Sequence, residues 1–164
     1  MNPNGNQVLI VNDYKTFLEV WPFLLEGLEA TKKNCEDNIP DVTADTFFKT
    51  LLSIALEEFH GVIMILQSKN KKLLGFIVLV NTTAMYEPRT LTIYIAYSTG
   101  KCPSTIHELR YEGFKWAREN TFERVRALSF RVKPMSRLSG AVRRYFYKTL
   151  GLRERCVVFE TLID

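Results

Sequence analysis

The sequence predicts an α/β domain whose mixed, mostly antiparallel sheet carries helices on both faces. Two strand-like segments, 61–66 and 73–80, are separated by a short polar stretch, which favours an antiparallel hairpin. Farther along, a strand-like segment at 89–97 is followed by a helical pattern over 105–120 and a further strand over 123–132. A strand–helix–strand unit joins its two strands in parallel through a right-handed crossover, so the sheet is expected to be mixed.

Length and composition bound the class of protein. At 164 residues the chain has the size of one domain, residues 1–164, with residues 1–6 expected to be flexible. Apolar residues make up 46% and charged residues 24%, which is typical of a globular protein and argues against disorder. There is no apolar run of about 18 residues and no basic-then-apolar N-terminal signal, so we expect a soluble, cytoplasmic protein that does not enter membranes.

The cysteines and histidines give no support for a metal site. Cys35, Cys102 and Cys156 are widely spaced without a Cys-x-x-Cys pair, and His60 and His107 are the only imidazoles. We therefore expect reduced thiols and no bound metal.

The net charge of +4 is unevenly distributed. Residues 1–100 hold 8 basic and 11 acidic residues, a net of −3, whereas residues 101–164 hold 14 and 7, a net of +7. A basic C-terminal half suits a phosphorylated cofactor, and it also results from ordinary solvated helix faces. The basic residues are spread over several elements instead of one stripe, so nucleic-acid binding is not expected.

The segment before the hairpin predicts one strand and two helices. Asp13 is a good N-cap for the first helix, in which Pro22 predicts a kink or a division into two short helices. After a polar linker over 32–41, Thr43 or Asp45 would cap the second helix. The apolar faces of the two helices are expected at Phe17, Val20, Trp21, Leu24 and Leu28, and at Phe47, Leu51, Ile54, Ala55 and Phe59.

The helix predicted over 105–120 begins directly after a turn-rich loop. Thr105 and Glu108 form a capping-box pattern at its start. Its apolar face includes Gly113, and a glycine there favours close approach to the sheet. Because a strand runs into this helix N-terminus, backbone N–H groups should point at one place, which is a generic anion-binding site.

Beyond residue 132 the sequence predicts one more helix and one more strand. Ser136 or Ser139 would begin the helix, and Gly151 lies where a helix-terminating glycine is expected. Residues 155–163 would form a closing strand.

The order of these elements resembles the GCN5-related N-acetyltransferase (GNAT) family over nearly the whole chain. Three segments carry the resemblance: Lys72-Leu-Leu-Gly-Phe-Ile-Val-Leu79 with its glycine before an aromatic, the strand, loop and helix from Arg89 to Asn120, and Tyr147-Lys-Thr-Leu-Gly-Leu152. The resemblance implies splayed central parallel strands that form a cofactor cleft. It also implies transfer of an acetyl group from acetyl-CoA, or another acyl-CoA, to a primary amine of a small molecule or a protein.

In that family the cofactor's pyrophosphate rests on the backbone amides of a Gln/Arg-x-x-Gly-x-Gly/Ala loop, whose small residues permit close approach. Residues 101–106 align with this loop. Lys101 keeps the charge, whereas Ser104 and Ile106 replace the two small residues. The resemblance implies acetyl-CoA contacts at Ile95, Ala96, Tyr97, Lys101, Cys102, Ser104, Thr105 and Ile106.

Pro103 and Glu108 depart further from the family pattern. Pro103 removes one amide donor, and Glu108 adds a negative charge that would oppose a bound phosphate. These departures favour a second interpretation, in which a GNAT-like fold has lost catalysis and serves as a structural or interaction protein, for example a phage virion component.

Direct transfer from a thioester to an amine needs a base for the amine and an acid for the departing thiolate. Tyr147 lies where the family's general-acid tyrosine lies, although an aromatic that only packs the helix onto the sheet would fit there too. Residues 90–99 contain no carboxylate, so Glu87 in the preceding loop is the candidate base, acting through water. The candidate acceptor-binding residues are Tyr94, Glu57 and Glu58, with Tyr97 as a further cleft residue, and both tyrosines also suit ordinary strand packing.

One cysteine is a candidate for a reactive thiol. Cys102 lies beside Lys101 and close to a helix N-terminus, a position that lowers a thiol pKa. An inert loop cysteine fits the same position.

Overall fold

The computed structural model describes residues 5–34, 42–58, 60–83, 85 and 88–127. Within them the chain forms β1 (Gln7–Ile10), α1 (Tyr14–Asn34), α2 (Ala44–Ala55), β2 (Gly61–Gln67), β3 (Leu73–Asn81), β4 (Thr90–Ser98), α3 (Thr105–Glu119) and β5 (Arg124–Ala127). The predicted last helix and closing strand, with Ser136, Ser139 and Gly151, lie outside the described residues. No helix in the described part of the chain is long and apolar enough to cross a membrane.

The strands form one sheet in the order β1-β2-β3-β4-β5. Neighbouring strands are antiparallel except β4 and β5, which are parallel and pair from Thr90 with Arg124 to Ile93 with Ala127. α3 is the predicted crossover between these two strands. The mixed, mostly antiparallel sheet is therefore confirmed, whereas any splaying of the two strands beyond Ala127 falls outside the described residues.

Helices cover both faces of the sheet, as predicted. α1 and α2 pack against one face through a layer that includes Phe17, Leu24, Phe47, Leu51, Ile63, Phe76, Val78 and Ile95. α3 packs against the other face through a layer that includes Met64, Ile77, Leu79, Leu91, Leu109 and Ala117. Because successive strand residues point to opposite faces and both faces are buried, β2 and β3 carry nearly continuous apolar runs.

α1 runs as one helix through Pro22, so a division into two short helices is wrong. Proline in a helix interior removes one backbone hydrogen bond and costs about 3 kcal/mol. Pro22 lies on the exposed side of the helix, and a buried stripe on either side of it fastens both halves to the sheet, at Phe17, Val20, Leu24 and Leu28. Packing therefore outweighs the local break, and the helix reaches Asn34, inside the segment predicted as a linker.

The predicted N-caps of the first two helices are confirmed. The Thr16 amide donates to the Asp13 carboxylate at 2.9 Å, and the Thr46 amide donates to the Thr43 hydroxyl at 3.1 Å. Each bond satisfies one of the backbone donors that a helix start leaves unpaired.

α3 begins differently from the prediction. Ser104 is its N-cap and makes no side-chain capping bond to the backbone. Thr105 is fully buried, and its hydroxyl donates to the Cys102 carbonyl at 2.8 Å. The capping box of Thr105 with Glu108 is therefore wrong, because the threonine side chain faces the sheet, where its Cγ2 lies against Gly75.

Two glycines let α3 lie close to the sheet. A Cβ atom on Gly75 would lie 2.4 Å from Thr105 Cγ2, which no real packing permits. A Cβ atom on Gly113 would lie 3.0 Å from Leu79 Cδ1. The close approach predicted for Gly113 is confirmed, and Gly75 fixes the position of the α3 N-terminus.

Gly113→Leu should lower the free energy of unfolding by about 1–3 kcal/mol, because a larger side chain must force Leu79 out of a filled layer. A urea titration measures the change as a lower midpoint. Lys115→Leu, on the exposed side of the same helix, is the matched control and should change stability by less than about 0.5 kcal/mol. Equal midpoints for Gly113→Leu and the parent would contradict the packing described here.

Candidate active site

Where β4 pairs with β3, one residue of β4 has no partner on β3. Ile93 pairs with Leu79 of β3 and Ile95 pairs with Val78, so Tyr94 has no partner residue and forms a β-bulge. The alternation predicted for this strand is interrupted there. A bulge changes the direction in which the following side chains point, and bulges are common beside active sites.

The bulge brings two tyrosines to one face of the sheet. Residues three apart in a regular strand face opposite sides, yet Tyr94 and Tyr97 both pack on the layer formed with α1 and α2. Tyr94 stacks on Phe47 of α2 with ring centroids 6.4 Å apart, and Tyr97 meets Phe23 of α1 at 5.7 Å. Partial burial raises the pKa of Tyr94.

A carboxylate from α1 reaches the same strand. Glu26 accepts a hydrogen bond of 2.6 Å from the Tyr97 hydroxyl. This bond, with smaller contributions from burial and from the Glu26 charge, raises the pKa of Tyr97 to about 12, because ionisation would set two negative charges side by side. The salt bridges among the described residues do not include Glu26. α1 thus supplies the carboxylate that the sequence of β4 lacks.

The loop between β4 and α3 is anchored to β3. The Thr99 amide and hydroxyl donate to the Leu74 carbonyl at 3.0 and 3.1 Å. Gly100 follows with a φ of +75°, in the left-handed region, and open space surrounds the position that a side chain would take. Lys101 is exposed on the way into α3.

The first turn of α3 presents backbone donors. The Thr105 amide donates to the Cys102 carbonyl at 3.2 Å, and the Glu108 amide donates to the Ser104 carbonyl at 2.9 Å. Within the described residues, the amides of Ile106 and His107 have no acceptor, as expected at a helix start. These donors and the helix dipole form an end that attracts anions.

The carboxylate of Glu108 lies at the same end of α3. It accepts hydrogen bonds from the Ser104 hydroxyl and, at 3.2 Å, from the side-chain amide of Asn6. The helix dipole stabilises this negative charge. Glu108 therefore competes with a bound anion for the N-terminus of α3, where the dipole stabilises a negative charge most.

Cys102 lies beside Ser104, with 3.2 Å between the sulfur and the hydroxyl oxygen. The Ser104 hydroxyl is the main reason that the pKa of Cys102 is lowered, while partial burial and the Glu108 charge oppose the shift. A lowered pKa is the direction expected for a cysteine near a helix N-terminus, and its principal cause here is the Ser104 hydroxyl. Reactivity of the thiol stays a prediction.

The same architecture occurs in solved acetyltransferases. Aminoglycoside N-acetyltransferase AAC(6')-Iy in complex with CoA matches with a TM-score of 0.66 at 14% identity over 99% of both chains. An aminoglycoside acetyltransferase from an uncultured soil metagenomic sample, in complex with sisomicin, matches with a TM-score of 0.67 at 13% identity over 98% of both chains. The chain has the GNAT fold.

The GNAT fold is also that of a protein-modifying enzyme. Ribosomal-protein-alanine N-acetyltransferase from Brucella melitensis biovar Abortus matches with a TM-score of 0.64 at 10% identity, over 97% of this chain and 99% of that one. No protein-family model matches the sequence, and no curated protein matches it significantly. Identities this low establish the fold alone, so the activity must be argued from the site.

The predicted cofactor contacts of this GNAT fold differ in exposure. Ile95 and Thr105 are buried, so a ligand could reach them only through the backbone. The side chains that a ligand could reach directly are those of Ala96, Tyr97, Lys101, Cys102, Ser104 and Ile106. These side chains belong to the end of β4, the loop that follows it and the start of α3.

Glu57 and Glu58 lie elsewhere, at the end of α2. Both are exposed, and Glu57 has a φ of 60° just after Leu56, the C-cap of the helix. Because Asn81 pairs with Leu91, a site beside Asn81 is about 10 Å along β4 from Tyr94. Glu58 lines a shallow pocket of about 200 Å³ at this place with His60, Asn81 and Thr83.

Tyr147 and Glu87 lie outside the described residues, so the acid and base assignments stay predictions. In the described ranges, no three His, Cys, Asp or Glu side chains are grouped as metal ligands.

Sequence reasoning missed Glu26. Its partner Tyr97 is 71 positions away, and no local pattern connects a helix surface carboxylate with a strand tyrosine. The missing signal is the bulge, which only the pairing of β3 with β4 reveals.

In Glu26→Gln, the pKa of Tyr97 should fall from about 12 towards its ordinary value near 10, because the neighbouring negative charge is gone. Carbon-13 NMR of labelled tyrosine, with Tyr97→Phe to assign the signal, follows the ionisation. The raised pKa means that the stabilisation from this bond is present at neutral pH and is lost as the pH rises through about 12. An unchanged titration in Glu26→Gln would contradict the hydrogen bond.

Proposed function

We propose that the chain is an acyl-CoA-dependent N-acetyltransferase that transfers an acetyl group to a primary amine of a small molecule or a protein. The observation that carries the proposal is the open first turn of α3 at the end of the bulged strand β4, in a GNAT fold. A helix N-terminus offers unpaired backbone N–H donors and the positive end of the helix dipole, and both favour binding of a pyrophosphate. A cytoplasmic location belongs to the same proposal.

The residues present fit acetyl-CoA at two places. The amides of Ile106 and His107, with the ammonium of Lys101, would hold the pyrophosphate, and Gly100 leaves room for it. By resemblance to the family, the backbone of β4 at Ile95, Ala96 and Tyr97 would hold the pantetheine arm. Glu108 opposes the phosphates and weakens the fit without blocking it.

Acetyl-CoA supplies an activated acyl group as a thioester. Tyr94 and Tyr97 would orient the acceptor on the α1 and α2 side of β4, which holds the amine near the reacting carbon and lowers the entropic part of the barrier. By resemblance, Glu87 would take a proton from the amine through water, and Tyr147 would give a proton to the departing sulfur.

A second candidate function is a structural or interaction protein that keeps the fold without catalysis, for example a virion component. Glu108 favours it, because its carboxylate already takes the Ser104 and Asn6 donors at the α3 N-terminus. Under this candidate the partner is another protein, and acetyl-CoA does not bind.

Lys101→Glu should weaken acetyl-CoA binding and Glu108→Gln should strengthen it, each by about two- to fivefold, the usual effect of one charge at a helix N-terminus. Isothermal titration calorimetry measures both. Glu112→Gln removes the same charge one turn farther along α3 and is the control that should change little. Unchanged affinity in both loop variants would remove the loop from the cofactor site.

Tyr147→Phe separates the two candidates. In an acetyltransferase, deleting the hydroxyl should lower turnover by about 10²- to 10⁴-fold while acetyl-CoA affinity stays constant. CoA release in the presence of an amine panel gives the rate. Equal rates in variant and parent would refute the acid role of Tyr147. The proposal that the chain is an acetyltransferase would still stand. A parent that neither binds acetyl-CoA nor acetylates any amine would favour the structural candidate.

A further inference from the structure

β1 lies at one end of the sheet, and in the described part of the chain it pairs with β2 alone. The Val11 amide donates to the Ile63 carbonyl at 3.0 Å, which fixes the direction of the backbone groups along the strand. In an antiparallel pair, every second residue turns its N–H and C=O away from the neighbouring strand. The N–H and C=O groups of Val8 and Ile10 therefore point to the outer edge of β1, where no described residue pairs with them.

The outer edge of β1 lacks the features that usually prevent pairing with another chain. Exposed edge strands commonly carry charged residues, a proline or a bulge. Residues 7–12, Gln-Val-Leu-Ile-Val-Asn, contain neither a charge nor a proline, and the register of β1 on β2 is regular. The Ile10 side chain is large and apolar, yet 42% of it is exposed. Such an edge favours the addition of a further strand.

We propose that β1 pairs with β1 of a second copy of this chain, antiparallel across a two-fold axis at Leu9. A two-fold contact needs a surface that is complementary to itself. In this register Val8 exchanges both backbone hydrogen bonds with Ile10 of the second copy, and the three apolar residues of the strand lie against one another. An axis at Val8 would set Ile10 against Asn6. An axis at Ile10 would set Val8 against Asn12, so the apolar pattern selects Leu9.

The charges at the two ends of β1 are complementary in the same register. With Leu9 on the axis, Gly5 lies opposite Asp13 of the second copy. The Lys69 side chain lies across Gly5, since a Cβ atom there would be 2.8 Å from the Lys69 Nζ. The Asp13 carboxylate is exposed and uses one oxygen to cap α1. Each Lys69 ammonium would therefore meet a carboxylate of the other copy, and the two-fold axis repeats this pair.

Pairing along one strand edge gives a small interface. Stable interfaces usually bury about 1,200–2,000 Å² in total, and smaller ones are typical of transient contacts. Because β1 has only four residues, we expect a dimer that dissociates on dilution. The inference is independent of the proposed function, since it uses no residue of the loop between β4 and α3.

Sedimentation velocity over a dilution series from millimolar to micromolar concentration measures the association. Ile10→Pro removes an N–H group that β2 does not use, so it should abolish the dimer and leave the β1–β2 pairing in place. Ile10→Lys sets a charge at the same edge and should also abolish the dimer. Leu18→Lys is the control, because Leu18 on α1 is 43% exposed and matches Ile10, and it should leave the dimer unchanged. The urea midpoint of each variant shows whether it folds.

The charge pair has a test of its own. Lys69→Gln should weaken the dimer by about two- to tenfold, because two exposed ion pairs are lost. Asp13→Asn removes the carboxylate and keeps the cap of α1, since asparagine caps a helix as well as aspartate does. Asp13→Asn should weaken the dimer to a similar extent, and Lys69→Gln should then have little further effect.

Amide hydrogen exchange reads the contact residue by residue. The Val8 and Ile10 amides should be protected in concentrated solution and exchange quickly after dilution, whereas the Leu9 amide, which points to β2, should be protected in both. A parent that stays monomeric at millimolar concentration would overturn the inference. A dimer that persists in both Ile10 variants, or one that Leu18→Lys removes, would also overturn it, because the contact would then lie elsewhere.

Discussion

Tyr94 is the residue of β4 that has no partner on β3, and the arrangement of the candidate site depends on it. Without the bulge, Tyr94 and Tyr97 would point to opposite faces of the sheet. With it, both tyrosines lie on the α1 and α2 side, where Phe47 and Phe23 fix their rings and Glu26 reaches the Tyr97 hydroxyl. The cost of an interrupted strand ladder is offset by this aromatic packing.

The other half of the site depends on how closely α3 approaches the sheet. Gly75 lets the buried Thr105 side chain sit directly on β3, which places the first turn of α3 at the end of β4. Within the described part of the chain, the amides of Ile106 and His107 have no acceptor and remain available as donors. The Glu108 carboxylate partly neutralises the positive end of the helix dipole. A phosphate ligand should therefore bind less tightly there than at a helix N-terminus without a nearby carboxylate.

The parts of this structure that follow from local sequence rules could be predicted. Thr43 capping α2, the β2–β3 hairpin and the close contact of Gly113 depend on neighbours in sequence or on one periodic pattern. The sequence left open whether Pro22 kinks or divides the first helix, because packing on both sides of the proline decides whether the helix continues.

The candidate site could be predicted only in part, because its decisive features are long-range. The loop at 98–104 was predictable, since a strand running into a helix start is a local pattern. The bulge at Tyr94 exists only relative to the register of β3, and the Glu26–Tyr97 bond joins residues 71 positions apart. The N-cap position of α3 is occupied by Ser104, without a side-chain capping bond, and not by Thr105, because the threonine side chain is buried against Gly75.

A titration of the nitrogen-15-labelled chain with acetyl-CoA, followed by amide NMR, tests the cofactor site most directly. We expect the amide signals of Gly100, Cys102, Ile106 and His107 to shift together and to saturate, because a pyrophosphate at the α3 N-terminus would accept hydrogen bonds there. Signals from the exposed side of α1 should not move. No shift of the four signals at millimolar acetyl-CoA, or saturating shifts confined to another part of the sheet, would contradict a cofactor site at the end of β4.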